Sequence, residues 1–242
     1  FMILPFLEQE IVESELVYEQ RWIHAANTQV AGAQIPTYQC PSDNTKGRVG
    51  KFSHYYGVTT YHSRSNLSMS FGKDSIHPCN VPIPQNTSTR WGRPEHELEN
   101  GGAFRMNLGR RLREFVDGTS HTVMVSEVRA GQDDDYHHSR DGEIDGRGFW
   151  CIPFMFSSYL HVNTPNSSAG DCGPCSSPQS NDVAPCVPTC TECDQHVAAR
   201  SYHPGGVNAL HCDGSVAFYD DGIDLAVWQA VATIDLGEVI SN

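Results

Sequence analysis

Three groups of residues have the types and spacing to do chemistry. The first is "HPGGVNALHCDGSVAFYDDG", His203 to Gly222. A histidine with aspartates ten and more residues on could hold and orient a nucleophile, the geometry of a hydrolase. No G-x-S-x-G elbow or other nucleophile motif accompanies it. The alternative is a structural corner. Asp213-Gly214 is the pair a two-residue hairpin turn wants, because glycine accepts positive φ and aspartate bonds the local backbone. His203, Asp213 and Gly214 are therefore expected to be structural, and no catalytic residue is nominated.

The second group is "DGEIDGRGFWCI". Asp141, Glu143, Asp145 and Gly146 follow positions 1, 3, 5 and 6 of an EF-hand loop. Position 12, which should supply a bidentate glutamate, is Ile152, and no flanking helix is evident. That leaves an irregular Ca²⁺ loop through Asp141, Glu143 and Asp145, or a solvated acidic loop. His137 and His138 are adjacent, so on an extended segment they point apart.

The third group is the cysteines, nine in all, five of them at 172, 175, 186, 190 and 193. CGPC and CTEC make a CxxC pair of pairs, a zinc signal, but only 14 residues separate Cys175 from Cys190. The Ser- and Pro-rich surroundings lack the turn chemistry of a zinc ribbon. A thioredoxin-type site would follow a strand and an aromatic, where Asp171 stands instead. The density points to disulfides among Cys172, Cys175, Cys186, Cys190 and Cys193, with zinc and redox chemistry as the alternatives. Three N-x-[ST] sequons, at Asn66, Asn86 and Asn166, carry little weight in so Ser-rich a chain.

The elements that must position these groups are strands more than helices. Apolar residues from Leu4 to Val17 recur at helical spacing, predicting a helix over 3–24. "IPTYQC", "YYGVTTYH", "GGAFRMN" and "HTVMVSEVRA" read as strands. "LGRRLREFVDGTS" reads as a short helix, and "DLAVWQAVAT" as another with Asp224 at its N-cap. Between His203 and Asp224 lies a hairpin, with Val207, Ala209 and His211 on one face and Asn208, Leu210 and Cys212 on the other. Strands joined by turns and irregular loops predict an α+β fold with an antiparallel sheet. One domain over 1–242 is expected, with 161–200 a Cys-, Pro- and Ser-rich insertion.

Charge narrows the function. With 16 Lys+Arg against 29 Asp+Glu the net charge is −13. Phosphate backbones and anionic lipid need clustered cations, so neither nucleic acid nor a membrane surface is an expected partner. No apolar run approaches the roughly 20 residues that span a bilayer. "FMILPFL" is short and broken by Pro5, and it lacks the marks of a signal peptide.

Four blocks resemble one bacterial pilin-like family of unknown function. "ILPFLEQ" is similar to its LLPYLEQ segment and "YQCPSDN" to its CPSD turn. "NGGAF" with "FVDGTSHTVMVSEV" resembles its DGTSNT strand. "HPGGVNALHCDGSVAFYDDGIDLAVWQAVAT" resembles its closing segment, signed H-x9-DG, which His203 and Asp213-Gly214 match. The resemblance implies a type IV pilin or type II secretion pseudopilin architecture: a long N-terminal helix packed on an antiparallel sheet. It implies a prepilin-type leader, cut and methylated by a prepilin peptidase. On this expectation the helix lies mostly upstream of Phe1 and is the protein's only contact with the membrane. Implied partners are further copies of the chain, the peptidase and the assembly or secretion machinery, at the cell surface or outside it. The expected function is a non-enzymatic filament subunit. The rival is a surface binding module that recognises Ca²⁺, a polysaccharide or a protein through its acidic and Cys-rich loops.

Overall fold

The computed structural model describes residues 3–20, 24–44, 49–53, 59–74, 101–105, 109–131, 135–137, 145–152, 156–173, 175, 184–187, 195–235 and 237. Its strands are β1 (Val49–Ser53), β2 (Thr59–Ser63), β3 (Leu67–Ser70), β4 (Val123–Glu127), β5 (Asp135–His137), β6 (Ser158–Tyr159), β7 (Gly206–His211) and β8 (Val216–Asp220). The α-helices are α1 (Glu10–Ser14), α2 (Thr28–Gly32) and α3 (Leu225–Ala230). The class is α+β, with short helices on a sheet-rich body.

The main sheet has the order β6-β3-β4-β7-β8, antiparallel except for the parallel β6–β3 pair. A smaller sheet, β2-β1-β5, lies apart from it in the hydrogen-bonding order. In β7 the side chains alternate as a half-buried strand must: Val207, Ala209 and His211 are buried, Asn208 and Leu210 half-exposed. Val207 and Ala209 meet Val123, Tyr159, Leu160, Val197, Ala199 and Trp228 of α3 in the main core. Trp228 is fully buried and still satisfies its indole, which donates to the Asn163 carbonyl at 3.1 Å. Asp224 caps α3, as its sequence suggests, accepting from the Ala226 and Val227 amides.

Residues of the Cys-rich segment belong to this body. His161, Asp171, Val197, Ala198, Ala199 and Arg200 are all buried.

Several expected elements take other forms. The helix over 3–24 is broken into a 3₁₀ turn, Leu4–Leu7, and the five-residue α1. Glu8 sits between them at φ 58. Of this segment's described apolar residues only Leu4 is fully buried, while Ile3, Phe6 and Ile11 are exposed, so among them no continuous stripe drives a longer helix. The Asn27 side chain holds the stretch after α1, accepting from the Val17 amide and donating to the Val17 and Gln20 carbonyls. "IPTYQC" forms a 3₁₀ turn, Pro36–Tyr38, started by its proline. In "GGAFRMN" the described residues 101–105 include a bridge from Gly101 to Gly72 and no strand, and residues 106 and 107 lie outside the described residues. The "LGRRLREF" helix shrinks to one 3₁₀ turn, Leu112–Glu114, with Leu112 and Val116 left largely exposed rather than packed as a helix stripe.

Candidate functional site

The hairpin of β7 and β8 turns through three residues, not two. His211 donates to the Ser215 carbonyl at 2.8 Å and Gly214 to the His211 carbonyl at 3.0 Å, leaving Cys212, Asp213 and Gly214 as the loop. Gly214, at φ 90, takes the one left-handed position, while Asp213 stays at negative φ. A two-residue type I′ turn would have forced positive φ on Asp213 as well, and the expected turn is corrected on that ground. The Asp213 carboxylate accepts from the Ser215 amide at 2.9 Å and its hydroxyl at 2.6 Å. Those bonds, the hydroxyl first, hold its pKa below the usual carboxylate range.

His203 does not approach Asp213 through hydrogen bonding; its Nε2 lies 3.0 Å from Glu127 Oε1. The other Glu127 oxygen takes the Asn208 amide at 2.7 Å, so one carboxylate ties the HPGG loop and β7 to β4. Behind His203, Ser201 Oγ donates to the Gly206 carbonyl and accepts the His203 amide. Gly206 has no room for a side chain: a Cβ there would sit 2.1 Å from the Tyr219 carbonyl oxygen.

From this corner a hydrogen-bonded path runs through the other blocks. The Thr119 and Thr122 carbonyls accept the Asp213 and Cys212 amides. Thr122 Oγ1 donates to the carbonyls of Gly118 and Thr233, and Val123 bonds the Val231 carbonyl. Ile234 donates to Gly101. On the far side Arg129 gives two bonds to the Ser201 carbonyl and lies 3.7 Å over the Tyr202 ring. Val128 and Asn66 exchange backbone and amide bonds, and Asn66 holds the CPSD turn through the Cys40 amide and the buried Asp43 carboxylate. Burial, then Asp43, raises the Tyr202 pKa. Asn66 and Asn166 thus spend their side-chain amides internally, the latter on Asp221 and the Gly206 carbonyl. Asn86 lies outside the described residues.

A second polar centre gave no signal in the sequence. Asp171, fully buried, accepts from Arg147 at 2.6 Å, from Arg200 at 2.9 Å and from the Ala198 amide at 3.0 Å. Burial alone would raise its pKa; Arg200 and Arg147 outweigh that and lower it. Arg147 also forks onto both oxygens of Asp145, at 2.9 and 2.7 Å. Asp145 is therefore engaged by a cation, while Asp141 and Glu143 lie outside the described residues. Among the described residues no three His, Cys, Asp or Glu side chains converge as metal ligands. The β5 strand includes His137; His138 lies outside the described residues.

Beside this network Cys175 and Cys186 form a disulfide, and Cys172 is also disulfide-bonded. Cys190 and Cys193 lie outside the described residues. Cys40, Cys151 and Cys212 are free thiols.

Two histidines outside the sequence candidates are fully buried. His62 Nδ1 is 2.8 Å from Cys151 Sγ, and its Nε2 is 2.6 Å from Thr60 Oγ1. Burial, then Arg64, lowers the His62 pKa to about 3, and burial pushes the Cys151 thiol far up. The pair is a neutral imidazole against a protonated thiol, the reverse of an activated nucleophile. His161 donates from Nδ1 to the Trp228 carbonyl at 2.8 Å, with Nε2 3.0 Å from the Tyr159 hydroxyl. Burial lowers its pKa to about 3 as well.

A family model described as "Protein of unknown function (DUF1559)" matches residues 1–226. No curated protein and no solved structure matches the chain.

Proposed function

We propose, from the premise that this chain belongs to the DUF1559 family of proteins of unknown function, that it is a non-enzymatic, pilin-like structural subunit of a cell-surface or extracellular filament. One observation carries the reading. The CPSD, NGG, DGTS and HPGG…DG blocks, by which the chain resembles pilin-like proteins, meet in one connected scaffold. Their polar side chains are used to fix backbone: Asp213 on its turn, Glu127 on β7, Asn66 on the CPSD loop. A motif spent this way specifies a rigid body, which is what a repeating subunit needs.

The partners in this reading are further copies of the chain and, for the full-length form, a prepilin peptidase and its assembly machinery. Divalent cations enter as bridges between acidic loops of neighbouring copies. Asp141 and Glu143 are the sequence candidates for that role, since Asp145 is held by Arg147.

The test compares residues 1–242 with the full-length gene product by sedimentation and electron microscopy, with and without chelator. The full-length, processed form is expected to give ordered filaments, and residues 1–242 alone at most weak association. Filaments formed as readily by residues 1–242 would place assembly in this body. A full-length form that stays monomeric at the cell surface would refute the filament role.

A further inference from the structure

Two exposed apolar patches on this body are opposite in charge. On β8, the edge strand of the main sheet, Val216 and Phe218 are 65% and 52% exposed. Bonds from His211 to Ser215 and from Asp221 to Gly205 bracket the β7–β8 ladder. By the antiparallel alternation Val216 and Phe218 therefore turn their N–H and C=O groups outward. Asp213 stands at one end of this strand, and Asp220, Asp221 and Asp224 at the other. Among the described residues no Lys or Arg lies within ion-pair distance of any of the four. The other patch is Leu112 and Val116, each 76% exposed. Arg111 and Arg113 flank Leu112, and neither has an acidic partner among the described residues.

We propose that two copies of this chain meet through these unlike patches. Leu112 and Val116 of one copy, between Arg111 and Arg113, seat on Val216 and Phe218 of the other, among its aspartates. Charge selects this occupant over a second β8. Pairing β8 with itself would bring eight aspartates to one seam, and like charges across an interface oppose association. A third exposed apolar patch, Ile3, Phe6 and Ile11, lies in a segment carrying Glu8, Glu10 and Glu13, so it too repels the β8 edge. A contact between unlike patches leaves one of each free on every pair, so it closes into a ring or continues as a filament. The contact rests on the filament reading only for its purpose, and the two can fail separately.

The experiment is sedimentation equilibrium of residues 1–242 at about 20 mM and about 300 mM salt, since rim charges are screened within about 8 Å at physiological ionic strength. The wild-type chain is expected to associate weakly at low salt and less at high salt. Arg111→Glu/Arg113→Glu and Asp220→Lys/Asp221→Lys should each weaken association at least about tenfold, and an equimolar mixture of the two should regain it. Asp220 and Asp221 also bond the backbone or Asn166 locally, so Val216→Lys serves as a second edge variant. It should lose association with an unchanged melting temperature. A monomeric wild type at millimolar concentration, variants that associate like wild type, or loss on Glu10→Lys/Glu13→Lys in place of the β8 changes would overturn the proposal. Should the contact be absent while the full-length form still makes filaments, this proposal falls and the filament reading stands. Should the contact hold with no filament found, the filament reading falls.

Discussion

The imidazole of His203 reaches across 76 residues of sequence to Glu127, Nε2 to Oε1 at 3.0 Å, and the other oxygen of that carboxylate takes the Asn208 amide. The two partners are unequal. His203 stands on an exposed loop, so its pair with Glu127 is worth about 0.2–1 kcal/mol. Glu127 also satisfies a strand amide, and losing it leaves that donor unpaired, a cost of about 1–3 kcal/mol. His203→Ala should therefore lower stability less than Glu127→Ala in urea denaturation. The reverse order would mean that His203 has a role beyond this tie.

Asp213 carries two bonds at the hairpin turn, both to Ser215. Asp213→Ala should lower the melting temperature, while Asp213→Asn, which keeps an acceptor oxygen, should recover most of the loss. Scanning calorimetry of the two variants separates a turn-fixing carboxylate from one whose charge matters.

The hairpin, β4 and the capped α3 were legible in the sequence because period, turn dipeptide and N-cap are local signals, and Val123, Val207 and Asp224 fall where those signals put them. The broken N-terminal helix was not. Its spacing was helical, but spacing alone does not say what a stripe packs on, and Phe6 and Ile11 are exposed. The Asp171 centre was illegible for a different reason. Its partners are 24 and 29 residues away, and no local pattern marks an aspartate as buried. Residues 161–200 read as a Cys-, Pro- and Ser-rich insertion by composition, and Val197 and Ala199 of that stretch lie in the main core. Low average hydrophobicity hides a few well-placed apolar residues.

The Cys175–Cys186 disulfide closes a loop with a sequence separation of 11. Restricting so short a loop in the unfolded chain is worth about 2–3 kcal/mol. Cys175→Ser/Cys186→Ser should lose about that much in guanidinium denaturation. Non-reducing peptide mapping should recover the 175–186 pair, and finding both as free thiols or loaded with zinc would contradict it.

Asp171 is the sole anion facing Arg200 and one of two facing Arg147 among the described ion pairs. Removing it leaves the buried Arg200 without an anion and Arg147 with only Asp145, which costs about 3–5 kcal/mol. Asp171→Ala and Asp171→Asn should both be severely destabilised, because the amide restores shape but not charge. The sign of the pH effect follows from the lowered pKa. The contribution of Asp171 is fully present above the unfolded value near 4 and is lost as pH falls below it. Chevron or equilibrium denaturation between about pH 5 and 2.5 should show a steeper loss in the wild type than in either variant, whose remaining fall comes from other groups such as the buried histidines.

The buried histidines act over a higher window. His62 and His161 have pKa values lowered to about 3, against 6.5 when exposed. Between those values the unfolded chain holds protons that the folded chain does not, so unfolding is favoured progressively as pH falls from about 6.5 towards 3. Each histidine thus makes the fold less stable at pH 5 than at pH 7.5, well before Asp171 titrates. The Cys175–Cys186 loop has no such dependence, since a disulfide does not titrate. Urea denaturation of the wild type at pH 7.5, 6, 5 and 4.5 should show a falling midpoint at constant m-value. His161→Phe keeps an aromatic against Trp228, whose ring lies 4.0 Å from the imidazole, and removes the titrating group. That variant should be less stable at pH 7.5, having lost the bond to the Trp228 carbonyl, but its midpoint should fall less steeply with acid. Equal slopes for wild type and variant would show that His161 is not the proton-linked group.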